Sequence, residues 1–166
     1  MSSVQVRRAR VITSSTRAAA GVWEDRSGPV LVEGLSALGF AVDGPVVVAD
    51  GEPLLAAMRA AVVEGFDLVF TTGGTGHTPM DTTPELTRQV IERESPGLAE
   101  AIRSYGVANG VPTAVLSRGI AGIVDRTLIV NAPGSPGGAR DAVAALAPVL
   151  MHAVDQIHGG DHQRAD

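Results

Sequence analysis

Short apolar runs of strand length alternate along this chain with segments whose apolar residues recur at helical spacing. Strands are predicted at 4–13, 41–48, 67–71, 113–116, 119–124 and 127–130. Helices are predicted at 29–38, 51–64, 84–95, 98–107 and 139–157, the last with a kink at Pro148. Alternating strands and helices predict an α/β fold with a mainly parallel sheet covered on both faces.

Caps and loops refine this pattern. Asp50 is predicted to cap the helix over 51–64, and Thr83 followed by Pro84 predicts an N-cap with proline at the first helical position. The dipeptide Gly44-Pro45 is expected to break the second strand. In parallel sheets ligands bind at the carboxyl ends of strands, so loops 13–28, 72–83 and 131–138 and Asp50 are the candidate site segments.

The glycine-rich segment Gly73-Gly74-Thr75-Gly76 directly follows a buried-strand signal. Glycines allow positive φ and close approach to a ligand, and consecutive amides can form an anion-binding nest. A tight strand-to-helix turn explains the glycines equally well. Two familiar phosphate loops are excluded, because the chain has no lysine for a Walker A loop and the spacing does not match G-x-G-x-x-G.

Asp81, Asp50 and Ser135 are the candidate polar groups of these loops, and each has two interpretations. Asp81 precedes a helix, where a carboxylate complements the positive N-terminus, but it also suits Mg²⁺ beside a nucleotide. Asp50 faces the same choice between a cap and a metal ligand. Segment 131–138 is either a proline-glycine connector or an anion site at a helix N-terminus, with Ser135 as a donor.

Composition excludes several classes of function. The formal net charge is −5, with 13 dispersed basic residues that are all arginine, so nucleic-acid binding is not expected. The chain has no cysteine and no lysine, which removes thiol, disulfide and Schiff-base chemistry and leaves backbone amides, arginine, hydroxyls or a metal to hold phosphate. Neither a signal peptide nor a membrane-length apolar run is recognised, and a cytoplasmic protein is expected.

One domain over 1–157 and a disordered tail over 158–166 are predicted. Three of the four histidines lie in or near the last helix and tail, where solvated side chains are expected. His77 lies in the glycine loop, but no ligand-like spacing accompanies it, so a zinc site is not expected.

Several segments in order resemble the molybdenum cofactor biosynthesis domain of the MogA/MoaB type, also seen as the gephyrin G domain. The most specific segment is TTGGTGHTPMDTTPEL at 71–86; RAAAGVWEDRSG, ERESPGLAE, LSRGIAGI and LIVNAPGSPGG accompany it. The resemblance covers about 8–155. It implies a three-layer α/β sandwich, a homotrimer or a hexamer, and a molybdopterin pocket. In the MogA-like branch it also implies adenylylation of the molybdopterin phosphate by Mg-ATP with release of pyrophosphate.

The resemblance also implies roles for particular residues. Asp50 and Asp81 are expected to be catalytic and to hold Mg²⁺, Asp81 in a register that the glycine motif fixes. The expected substrate-binding residues are Ser14, Ser15, Thr72, Gly73, Gly74, Thr75, Gly76, Ser117, Asn131, Pro133, Gly134 and Ser135.

Two departures from the family pattern keep an alternative open. The family often has Ser-Asp-Arg where this chain has Ser15-Thr16-Arg17, and the segment HTPM replaces the basic versions of some relatives. The alternative function is a non-catalytic, MoaB-like module that binds molybdopterin or a precursor, or serves as an assembly partner.

Overall fold

The computed structural model describes residues 4–160, which form a six-stranded sheet in the order β2-β1-β3-β6-β5-β4. The strands are β1 Arg8–Ser14, β2 Ala41–Val48, β3 Leu68–Thr72, β4 Arg93–Glu94, β5 Ala121–Val124 and β6 Thr127–Ala132. The first four strands in this order, β2, β1, β3 and β6, are parallel; β5 pairs antiparallel with β6, and β4 pairs antiparallel with β5. The prediction of a mainly parallel sheet is confirmed.

Helices cover both faces of the sheet. They are α1 Thr16–Ala19, α2 Ser27–Ala37, α3 Glu52–Val63, α4 Thr83–Arg88, α5 Pro96–Ala108, α6 Pro136–Leu146 and α7 Leu150–Ile157, with a 3-10 helix at Pro112–Leu116. Alternate side chains of a strand point to opposite faces. Val11 therefore packs in the core under α2, α5, α6 and α7, while Ile12 packs in the core under α3. This gives the three layers that the resemblance implies.

The sequence pattern failed at three places. The predicted strand 113–116 is a 3-10 helix that packs on α5, because β-prone residues there follow Pro112 and have no neighbouring strand. The predicted helix 84–95 ends at Arg88, and the chain then forms β4. The predicted long helix is two helices, α6 and α7, separated by the segment that contains Pro148.

The second strand differs from its prediction as well. It continues across Gly44-Pro45, where its pairing with β1 shifts register between Arg10 and Ile12. Gly44 has a φ of 122°, so the bulge uses a conformation that favours glycine. The break expected in the sequence is therefore an irregularity within one strand.

The end of the described chain is ordered by polar contacts. The His158 side chain is 14% exposed, and its Nε2 lies 2.7 Å from Asp67 Oδ1. Arg7 Nε donates a 3.0 Å hydrogen bond to Asp155 Oδ1 of α7. The expectation of a solvated His158 was therefore wrong. Most of the predicted tail, residues 161–166, lies outside the described residues. Over residues 4–160, no helix is both long and apolar enough to cross a membrane.

Candidate functional site

Two cavities lie at the carboxyl ends of the parallel strands, where the three predicted loops meet. The larger cavity has a volume of about 1080 Å³ and the smaller about 420 Å³. Gly74, Asp81 and Gly134 line both cavities and so form their common wall. Such paired cavities suit either a two-part substrate or two substrates that must meet.

The glycine segment brings backbone of three strand ends into close contact. Gly73 and Gly74 have φ values of 97° and 68°, which favour glycine. A side chain on Gly73 would collide with the Ser14 carbonyl, and a Cβ on Gly134 would lie 3.1 Å from Gly73 Cα. The segment is therefore a tight turn whose backbone also forms cavity wall, and its role as an anion-binding nest stays a prediction.

Asp50 is held by hydroxyl and amide donors from the end of β1 and the start of α1. Its Oδ1 accepts a 2.8 Å hydrogen bond from Ser14 Oγ, and its Oδ2 accepts from Thr16 N–H at 3.1 Å and Thr16 Oγ1 at 2.8 Å. The prediction that Asp50 caps α3 was wrong, because Gly51 occupies the N-cap position and makes no side-chain capping bond. Asp50 lines the larger cavity instead.

Thr16 is the residue that departs from the family pattern. An acidic side chain at this position would bring a second negative charge against Asp50, and like charges at such distances repel strongly. Threonine donates a hydrogen bond to the Asp50 carboxylate instead. The departure therefore leaves Asp50 as a hydrogen-bonded carboxylate without an acidic residue at position 16.

Asp81 is held by its own loop. Its Oδ2 accepts hydrogen bonds from Thr78 N–H at 3.0 Å and from Thr78 Oγ1 at 2.8 Å. The N-cap of α4 is Thr82, not the predicted Thr83, whose hydroxyl is buried and donates a 2.9 Å bond to the Gly73 carbonyl. Asp81 thus stands just before α4, and its side chain contacts Thr78 rather than capping that helix.

The remaining predicted residues divide between cavity lining and support. Residues in at least one cavity wall are Ser14, Ser15, Thr72, Gly73, Gly74, Thr75, Gly76, Ser117, Pro133, Gly134 and Ser135. Asn131 lines neither cavity. It is 2% exposed, accepts from Ile120 N–H, and donates to Thr71 Oγ1 and Thr87 Oγ1. Asn131 therefore links β6 to β3, to α4 and to the residue before β5 beneath the site.

Ser15 and Ser135 each serve as a helix cap. Ser15 Oγ accepts from Ala18 N–H at 3.1 Å, and Ser135 Oγ accepts from Gly138 N–H at 2.9 Å. Part of the donor capacity at the α6 N-terminus is thus already used by Ser135. Because Ser135 Oγ accepts in this bond, its O–H can still donate, so the predicted anion site at 131–138 keeps Ser135 and backbone amides as its donors.

Two groups of residues in this region were missed from the sequence. Trp23, 58% exposed, lines the larger cavity with Val22 and Met80, and the Arg17 guanidinium lies 4.3 Å from its ring centroid. No sequence spacing marks an exposed aromatic residue as part of a cavity wall. Its membership follows only from the folding of loop 13–28.

Arg118 was the other omission. Its Nε donates to the Gly76 carbonyl at 2.8 Å, its Nη2 donates to the Asp81 carbonyl at 2.6 Å, and its Nη1 pairs with Glu85. The hydrogen bond from Arg118 lowers the pKa of Glu85. The segment LSRG was noted in the sequence, but nothing in its spacing shows that the arginine reaches loop 76–81.

The donor set fits a magnesium ion that is shared with phosphate groups. Over residues 4–160, no three acidic, histidine or cysteine side chains are grouped to hold a metal. Mg²⁺ commonly needs only one or two carboxylates, with water and substrate phosphates as its other ligands. Asp50 and Asp81 both line the larger cavity and meet that lesser requirement. His77 is exposed and lines neither cavity.

Comparison with known proteins identifies a family for this fold and site. The family model described as "Probable molybdopterin binding domain" matches residues 10–152. A molybdopterin adenylyltransferase of Helicobacter pylori strain J99 is 39% identical over 156 residues, covering 90% of this chain and 86% of that protein.

Solved structures give the same picture. The molybdopterin biosynthesis Mog protein from Mycobacterium ulcerans has a TM-score of 0.88 and 49% identity, covering 94% of this chain and 99% of that one. The molybdopterin biosynthesis enzyme MoaB from Thermus thermophilus has a TM-score of 0.87 and 41% identity, covering 95% of this chain and 100% of that one. The fold is therefore shared by proteins named Mog and by proteins named MoaB.

Proposed function

Because this chain belongs to the MogA/MoaB-type family of molybdenum cofactor biosynthesis proteins, we propose that it binds molybdopterin and adenylylates its terminal phosphate with Mg-ATP. The product pair is adenylylated molybdopterin and pyrophosphate. The observation that carries the proposal is that Asp50 and Asp81 line the same larger cavity. Asp81 also lines the smaller cavity, so it lies in the wall that separates the two.

The reaction places few demands on proton transfer. A phosphate monoester is already anionic at neutral pH, so it attacks the α-phosphorus of ATP without a strong base. The bond formed joins a molybdopterin phosphate oxygen to the α-phosphorus of ATP. The bond broken joins that α-phosphorus to the oxygen bridging to the β-phosphorus, and pyrophosphate leaves. The protein must align the two phosphates and offset the negative charge.

The residues of the common wall supply the alignment. Gly74 to Gly76 offer backbone amides near both cavities, whereas the Gly73 N–H donates to the Ala132 carbonyl; arginine and hydroxyl donors take the place of the lysine that this chain lacks. Ser14 and Thr16 orient the Asp50 carboxylate, and Thr78 orients the Asp81 carboxylate. Mg²⁺, when bound by these carboxylates, supplies charge neutralisation at the leaving pyrophosphate.

We also propose that the chain acts in the cytoplasm as a single domain over 1–157 that forms a homotrimer or a hexamer. Apolar side chains exposed on α5 and on the adjoining segment through the 3-10 helix support self-association: Val107, Val111, Val115 and Leu116. Light scattering on the purified protein measures this directly. The net charge of −5 supports the absence of a nucleic-acid partner.

The test is product formation. Purified protein, molybdopterin, ATP and Mg²⁺ are incubated, and adenylylated molybdopterin is quantified by chromatography beside an Asp81→Asn control. We expect product with the wild type and a rate lower by roughly 100- to 1000-fold with the variant. Binding of molybdopterin by the wild type without any product would replace this proposal with the alternative of a MoaB-like binding module.

A further inference from the structure

Loop 76–81 carries Asp81 yet has few ties to the rest of the protein. Its internal hydrogen bonds are local, from Thr78 to the Asp81 carboxylate and from Asp81 N–H to the Thr78 carbonyl at 3.0 Å. Residues 77–80 are exposed. Within residues 4–160, the hydrogen bonds that join loop 76–81 to another part of the chain come from one side chain, that of Arg118.

The Arg118 guanidinium joins both ends of that loop. Nε binds the Gly76 carbonyl at the start of the loop, and Nη2 binds the Asp81 carbonyl at its end. The third nitrogen, Nη1, pairs with Glu85 on α4. The Arg118 backbone N–H adds a 2.8 Å bond to the carbonyl of Thr75, directly before the loop. A planar guanidinium with donors on three nitrogens suits this geometry, whereas an ammonium group does not.

The segment that carries Arg118 is itself fixed from α5. Arg103 Nη1 donates to the Ser117 carbonyl at 3.1 Å and to the Gly119 carbonyl at 2.8 Å, on either side of Arg118. Ser117 Oγ donates a further 3.2 Å bond to Thr75 Oγ1. The guanidinium of Arg118 is therefore attached to a well-anchored segment and transmits that position to loop 76–81.

We propose that Arg118 is a positioning residue for the reaction, because its guanidinium fixes loop 76–81 and thereby the Asp81 carboxylate in the wall common to both cavities. This inference rests on the proposed function. Arg118 contacts no cavity itself; it acts through Asp81. A misplacement of about 1 Å in a reacting group costs on the order of 100-fold in rate.

The experiment compares Arg118→Ala and Arg118→Lys with a matched control, Arg88→Ala. Arg88 lies on α4 and makes a surface ion pair with Glu94 at 3.7 Å, and the hydrogen bonds to the Gly76 and Asp81 carbonyls come from Arg118, not from Arg88. We expect kcat to fall about 100-fold in Arg118→Ala, with a much smaller change in KM for ATP. Arg118→Lys keeps the positive charge but loses the planar guanidinium with donors on three nitrogens, so its activity should be little higher than that of Arg118→Ala. Arg88→Ala should behave as wild type.

Chemical rescue separates positioning from a general loss of structure. Guanidinium ion added at low concentration should restore part of the activity of Arg118→Ala, whereas sodium chloride at equal ionic strength should not. Wild-type kcat in Arg118→Ala would overturn the proposal. So would a folded Arg118→Ala protein whose lost activity guanidinium fails to restore at any concentration below unfolding.

A second readout does not depend on catalysis. Hydrogen exchange of the amides of residues 76–82 should be faster in Arg118→Ala and Arg118→Lys than in wild type, and unchanged in Arg88→Ala. Unchanged exchange in both Arg118 variants would overturn the positioning role. If wild-type protein makes no product while exchange responds as expected, the proposed function fails and the control of loop 76–81 by Arg118 stands.

Discussion

Asp50 and Asp81 line the same cavity, but the protein holds them in different ways. Asp50 accepts hydrogen bonds from Ser14 at the end of the buried strand β1 and from Thr16 at the start of α1, which lie 36 and 34 positions away in the sequence. Asp81 accepts hydrogen bonds from Thr78, three positions away in an exposed loop. One carboxylate is therefore positioned by the sheet and the other by a loop that Arg118 secures from outside.

The difference has a consequence for stability. Because Asp50 is tied to the sheet, changes to its donors also alter contacts between β1 and the segment before α3. Changes to the donor of Asp81 affect only an exposed loop, where substitutions seldom change stability by more than about 0.5 kcal/mol. Stability and turnover should therefore respond together around Asp50 and separately around Asp81.

The largest effect is expected when either carboxylate is neutralised. In Asp81→Asn and Asp50→Asn the amide oxygen can keep hydrogen bonds, but the charge is lost. We expect turnover to fall by roughly 100- to 1000-fold in each variant, the size of losing one preorganised electrostatic group. Single-turnover kinetics with molybdopterin and Mg-ATP measure the loss, with circular dichroism as the folding control. Turnover near the wild-type level in one variant would show that this carboxylate is not part of the chemistry.

Gly76→Ala sharpens the comparison, because it disturbs only Asp81. An added Cβ would lie 2.8 Å from Asp81 Oδ2, so the carboxylate must move. We expect turnover to fall about tenfold or more with little change in melting temperature. Gly97→Ala is the matched control, because a Cβ there meets nothing within 4 Å and Gly97 lines neither cavity. Equal kinetics in the two variants would contradict the expectation.

A smaller effect should distinguish the two threonine donors. Thr16→Val and Thr78→Val each remove a 2.8 Å hydrogen bond to a carboxylate. Thr16 Oγ1 also accepts from Asp50 N–H at 3.2 Å, so Thr16→Val should cost about 1 kcal/mol of unfolding free energy. Thr78→Val should cost less while still lowering turnover. Urea unfolding and kcat, measured on both, test this; a larger stability loss in Thr78→Val would reverse the comparison.

The smallest effect concerns Glu85 and pH. The hydrogen bond from Arg118 lowers the pKa of Glu85. A lowered folded-state pKa stabilises the protein above the ordinary glutamate value of about 4.3, and this contribution is lost as pH falls through the folded value. The stability of wild type minus that of Glu85→Gln should therefore be constant near neutrality and shrink in acid. Denaturant titrations across pH measure it. The Glu85 side chain is 54% exposed, so solvent screens the pair and the difference is slight. A difference that grows in acid would contradict this sign.

Although the sequence pattern missed β4 and placed a strand where the 3-10 helix lies, it was sufficient to predict a mainly parallel sheet and the loops that line the cavities. These features follow from periodicity, which is local. The position of Asp81 was also predictable, because the glycine motif fixes its distance from β3. The family resemblance was needed for its proposed chemistry.

The hydrophobic and polar pattern of the sequence did not predict side-chain contacts between residues far apart in the chain. Asp50 looked like a helix cap, since capping is a local signal, whereas its hydrogen bonds come from the end of β1 and the start of α1. Asn131 was assigned to the pocket but lies buried beneath it. Arg118 received no role, because its partners are 33 to 42 positions away. Each miss concerns a polar side chain whose partners depend on the tertiary arrangement.

The contacts of Arg7 with Asp155 and of His158 with Asp67 lie where β1 and β3 begin, at the edge of the sheet opposite both cavities. The described chain both starts and finishes at that edge. A fluorophore or an affinity handle attached beside Arg7 or His158 would therefore face away from both cavities and leave them open to the surrounding solution.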